Sequence, residues 1–83
     1  MITSSQSRAA RGLLDWSQQE LANRAGVGIV TIRQLEAGVK TPRRATLHVV
    51  RRALEVAGVE FIDENGGGPG VRLRAPLPKS FSG

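Results

Sequence analysis

Apolar positions along the chain follow a helical period as far as Gly58 and an alternating period after it. From Ser4 to Leu14 a helix is expected, with Ala9, Ala10, Leu13 and Leu14 as its apolar face. Ser4, Ser5 and Ser7 each qualify as its N-cap. Gly12 weakens its last turn, and Asp15 with Trp16 reads as the exit. Ser17 and Glu20 then have the S-x-x-E spacing of a capping box, where the hydroxyl takes an amide and the carboxylate reaches back. The short helix Gln18 to Arg24 turns Leu21, Ala22 and Ala25 inward and stops at Gly26. A third helix, Ile29 to Glu36, sets Ile32 and Leu35 inward and runs through Ala37 into Gly38. Two short helices about a tight glycine-containing turn predict a pair crossing at roughly 90–120°.

Pro42 in the loop Val39 to Arg44 suits the opening of a helix and not its continuation. The helix that follows is expected over Ala45 to Ala57, with Leu47, Val50, Leu54 and Ala57 as its stripe and Val49, Ala53 and Val56 broadening it. Beyond Gly58, Val59, Phe61 and Asp63 alternate with Glu60, Ile62 and Glu64; after NGGGPG, Val71-Arg72-Leu73-Arg74 alternates strictly. This predicts a β-hairpin, which is marginal in isolation and must pack on the helices or on another copy. Residues 75–83, with Pro76, Pro78, two serines and a glycine, read as a disordered tail. The expected organisation is therefore a helical unit over residues 1–58, a hairpin over 59–74 and the tail.

A chain of 83 residues holds one small domain. Such a chain buries only about 60% of its unfolded surface, so its stability margin is thin. It has no cysteine to supply a disulfide or a thiolate zinc site. The opening MITSSQSRAARG has no apolar run after a basic start, and no segment is long enough to span a membrane, so a cytoplasmic location is expected. Charge adds a direction. Lys plus Arg number 12 against 7 Asp plus Glu, a net charge of +5. Lys40, Arg43, Arg44, Arg51 and Arg52 lie close together with no acid among them, and the remaining bases are matched by the acids. Concentrated positive charge points to a polyanion, nucleic acid first.

The segments RAARGLLDWSQQELANRAGV, TIRQLEAG and TPRRATLHVVRRALEVAGV resemble, in order and spacing, the Cro/C1-type (XRE-family) helix-turn-helix domains of phage repressors and bacterial regulators. The resemblance runs from Arg8 to Gly58 and implies a mainly α, phage-repressor-like fold of four to five helices. The C-terminal hairpin lies outside the family pattern. It further implies that the helix 29–36 enters the major groove of double-stranded DNA. Gln18 would then grip a phosphate and brace the first recognition residues. Gly28, Ile29, Val30, Arg33 and Gln34 would be the exposed recognition positions, and Lys40, Arg43 and Arg44 would touch the DNA backbone.

The side chains support those roles on chemical grounds. Arg33 can donate twice to guanine, and Gln34 can pair with adenine; Arg33 can equally clamp a phosphate, and Gln34 can be an ordinary exposed polar residue. Ile29 and Val30 stand where many relatives carry polar readers; the expected division is Ile29 inward and Val30 outward, against a thymine methyl. Gly28 replaces a Ser or Thr cap and leaves its backbone amide free for a phosphate.

Other candidates read as structural. Trp16 is expected to anchor the first two helices, His48 to be an exposed helix residue and Glu36 to pair with an arginine. One of Arg51 and Arg52 is expected to snorkel or pair with an acid. The GGGPG run lacks the Lys-Ser/Thr of a phosphate loop and precedes a strand. With a single histidine and no nucleophile–base pair, neither an enzyme nor a metal or other cofactor is expected. The expected function is a sequence-specific transcriptional repressor, homodimeric through Val59, Phe61, Val71 and Leu73 of the hairpin or through the end of the long helix. Two alternatives stand beside it. One is the antitoxin of a toxin–antitoxin pair, its C-terminal extension on a protein partner. The other is an interaction module that has lost DNA binding.

Overall fold

The computed structural model describes residues 2–63 and 66–74. Four helices, α1 (Ser4–Leu14), α2 (Gln18–Ala25), α3 (Ile29–Ala37) and α4 (Arg44–Val56), precede strands β1 (Val59–Ile62) and β2 (Gly70–Leu73). The tail over residues 75–83, and Glu64 in the expected alternation, lie outside the described residues.

Local chemistry sets most of the boundaries. The N-cap of α1 is Thr3 and none of the serines: its hydroxyl accepts from the Gln6 N–H, and the Gln6 side chain accepts from the Thr3 N–H. Asp15 closes the helix in the left-handed region at φ 58°. Ser17 accepts from the Glu20 N–H at 3.0 Å, but the reciprocal half of the expected box does not form. The Glu20 carboxylate turns instead to Arg24, one turn along α2. Gly26, at φ 72°, makes the turn between α2 and α3; a side chain there would be strained. The fourth helix begins one residue before its expected start and ends one before its expected end.

The core gathers Ala10, Leu21, Ala22, Ile32, Leu35, Leu47, Val50 and Leu54 from the helices, with Ile2, Val59 and Phe61 from the flanks. Two expectations about helix faces need correction. Ala9 and Leu13 are exposed, and the inward stripe of α1 is Gln6, Ser7, Ala10 and, half-buried, Leu14. The polar members are tolerated inside because each is hydrogen-bonded. On α4, Val49 and Val56 do not broaden the core face: they are 44% and 70% exposed.

The hairpin packs against α1 and α4. Its antiparallel register pairs Val59 with Leu73 and Phe61 with Val71, which sets these four side chains on one face. Val59 and Phe61 are buried, Val71 is half-buried against the core and Leu73 is 50% exposed. Most of the face expected to meet a second copy is therefore occupied by the chain's own helices. Gln6 ties the sheet down, its amide donating to the Gly70 carbonyl at 3.0 Å and more weakly to that of Ile62. The hairpin thus covers α1 and α4, and the described residues contain no fifth helix. Among the described residues no helix is long and apolar enough to cross a membrane.

Candidate nucleic-acid interface

Because α3 follows α2 after only a short turn, its packing on α2 decides which side chains it can offer outward. Ile32, Leu35 and Glu36 are buried, and Ile29 is half-buried against the core. Val30 (57% exposed), Arg33, the partly exposed Gln34 and Ala37 form the opposite stripe at helical spacing. Of the two aliphatics at the start of α3, Val30 is the one that faces out. Gly28 is an exposed N-cap with no side-chain cap bond. Among the described residues the Gly28, Ile29 and Val30 amides have no hydrogen-bond partner, while that of Thr31 donates to the Gly28 carbonyl.

The orientation of α3 is held from below by one carboxylate. Glu36 is only 3% exposed, and it collects donors from two other helices. Arg11 of α1 reaches it at 2.7 Å, Ser7 of α1 at 2.6 Å and the Gln18 amide of α2 at 3.1 Å. Burial alone would raise the Glu36 carboxyl, but the bonds from Arg11, Ser7 and Gln18 outweigh it and hold it below the usual carboxylate range. The Arg8 guanidinium donates to the Glu36 backbone carbonyl, near the C-terminus of α3. Among the described residues the Gln18 side chain is tied to α3 through Glu36.

Ion pairing divides the basic side chains. Arg11, Arg24, Arg51 and Arg72 each pair with an acid, and Arg74, like Arg8, donates to a backbone carbonyl. Arg51, counted in sequence with the unmatched cluster, bonds Glu55 at 3.0 Å and lies over the Phe61 ring. Among the described residues, Arg8 and Arg74 lack an acid but are tied to carbonyls, whereas Arg33, Lys40, Arg43, Arg44 and Arg52 have neither an acidic partner nor a side-chain hydrogen bond. All but Arg52 lie on α3, in the α3–α4 connection or at the first residue of α4. Unneutralised charge thus runs from the outward stripe of α3 into the segment that follows it.

A family model described as helix-turn-helix matches residues 8–61, most of the chain. The chain belongs to the helix-turn-helix family. No curated protein matches it in a sequence comparison. In this helix-turn-helix protein α2 and α3 are the paired helices, and the match ends inside β1, so most of the hairpin lies beyond it. Membership supports a DNA-binding regulatory role in general terms.

The remaining candidates fall outside the interface. Trp16 is half-buried against the core beneath the Arg24 guanidinium, 4.9 Å from the ring centroid. His48 is exposed on α4. Among the described residues no group of His, Asp or Glu is placed to hold a metal ion. The central group that sequence reasoning left scattered is Ser7, Arg11 and Gln18 around Glu36. Helical spacing from Ala10 would have put Ser7 and Leu14 on the buried face of α1. The meeting of α1 with α3 has no local signal.

Proposed function

We propose that the protein is a sequence-specific DNA-binding regulator of the Cro/C1 type, acting in the cytoplasm as a homodimeric repressor. What carries the reading is the continuity of the outward stripe of α3 with the unpaired cations after it. In it α3 lies in the major groove. Arg33 donates to guanine O6 and N7, Gln34 pairs with adenine, and Val30 packs on a thymine methyl. Lys40, Arg43 and Arg44 neutralise phosphates, and the free amides at Gly28 and the start of α3 receive another. Gln18 acts by holding Glu36, and through it the angle at which α3 enters the groove. Ile29 acts from the core side by seating the first turn of α3.

Dimerisation would use what the hairpin leaves outside the core, the exposed Leu73 and the outer edge of the sheet, and would set two α3 helices about 34 Å apart. Selection from randomised duplex DNA at near-physiological salt tests the reading. Enrichment of an inverted repeat with half-sites about 10–11 bp apart supports it. Retention that is sequence-independent and vanishes as salt rises rejects it. In that case the exposed Val30 and Val39 would favour a protein-binding surface.

A further inference from the structure

Val49 and Val56 stand two turns apart on the same side of α4, 44% and 70% exposed. Across from them are Trp16 and the end of α2, and the groove between has a volume of about 510 Å³. Ligand sites typically enclose about 300–1,000 Å³. Alanines of α2 and α4 complete its walls, so the apolar surface is contiguous and not a scatter of single exposed side chains.

The charged side chains lining this groove are all cationic. Arg24 is held over Trp16 and paired with Glu20 at 2.6 Å. Arg52 makes neither an ion pair nor a side-chain hydrogen bond among the described residues. An occupant must therefore bring an apolar body and a negative end. A second copy of this face would set the unpaired Arg52 against its like on a chain already at +5. Duplex DNA has the charge but no apolar body of that shape.

We propose that the α2–α4 groove binds a small amphipathic organic anion, an aromatic or medium-chain aliphatic carboxylate. Its hydrocarbon rests on Trp16, Val49 and Val56, and its carboxylate meets Arg52. No residue of α3 or of the α3–α4 connection lines the groove, so this inference stands or falls separately from the DNA reading.

Trp16 is the single tryptophan and lies in the groove wall, so its fluorescence reads occupancy directly. Octanoate titrated into the full chain below its micelle concentration should give a saturable, one-site change in emission, and octylammonium should give none. Arg52→Gln should weaken octanoate about tenfold, the loss of one charge-assisted bond. Val56→Glu, at an exposed position, should abolish binding by placing an acid in the groove one turn from Arg52. Each variant is compared with wild type only after its far-UV circular dichroism matches. The inference is overturned by no saturable response, by equal binding of octylammonium, or by octanoate affinity that Arg52→Gln leaves unchanged. It is also overturned if sedimentation finds a dimer that Val56→Glu dissociates, since a second copy would then be the occupant.

Discussion

Arg11 and Glu36 are separated by most of two helices in sequence, yet their side chains meet at 2.7 Å with the carboxylate almost wholly out of water. The guanidinium presents both Nε and a terminal nitrogen to the carboxylate, the two-point geometry that makes such pairs strong. The pair fixes α3 to α1, while Gln18 adds α2 to the same anchor. A helix that must present Val30, Arg33 and Gln34 at a set angle is thereby held by a polar clamp as well as by apolar packing.

Glu36→Gln removes the charge while nearly keeping the shape. Leaving Arg11 without its counter-ion should cost about 3 kcal/mol, read as a lowered urea midpoint at pH 7. The pH dependence has a definite sign. The Glu36 carboxyl lies lower in the folded chain than its ordinary 4.5. Its stabilisation is therefore complete above that value and is lost as pH falls through the folded one. Glu36→Gln should flatten this acid limb. Glu60 is also held low, by its hydrogen bond from Arg72, but on the surface. Glu60→Gln should leave the limb nearly unchanged, and equal flattening by both variants would contradict the assignment to Glu36.

Gln6 joins two jobs in one side chain, capping α1 and tying the hairpin to it. Gln6→Leu should cost about 2 kcal/mol by stranding partners it now satisfies. Hydrogen exchange should quicken most at the β1–β2 amides and least in α3. Uniform quickening across the chain would mean that the hairpin is not secured locally.

Asp15 sits in a left-handed conformation at a helix C-terminus, where both its Cβ and its negative charge are disfavoured. Asp15→Gly should raise stability by about 0.5–1 kcal/mol, less than the full strain because glycine also loosens the unfolded chain. Thermal unfolding checks this, and a lower melting temperature would show an unrecognised role for the carboxylate.

Lys40→Ala and Arg43→Ala should weaken binding to every duplex alike. Each should lower the slope of log affinity against log salt by about one unit. A preference for one base that disappears with either change would make that residue a reader and not a phosphate contact.

The elements were legible because their signals are local: apolar spacing on the helices, Gly26 and Gly38 as stops, strict alternation from Val71 to Arg74. The candidate interface was legible for a related reason, since Ile32 and Leu35 fix the inward side of α3 and so leave Val30 and Arg33 outward. Of the supports, the pairing of Glu36 with an arginine was legible and the rest were not. Helical spacing places Ser7 on the buried face of α1, but neither it nor Gln6 is marked as a support until the partners that satisfy them are in place. The hairpin's apolar face was visible, but its destination was not. Val59 and Phe61 could have met a second copy or the chain's own helices, and alternation is silent on which.

The most direct test of the account compares wild type and Arg33→Ala on the selected duplex and on a scrambled one at fixed salt. Arg33→Ala should cost about 1–3 kcal/mol on the selected duplex, relax preference at a single base pair and change the scrambled duplex little. An equal loss on both duplexes, or no loss on either, would contradict a base-reading role for the outward face of α3.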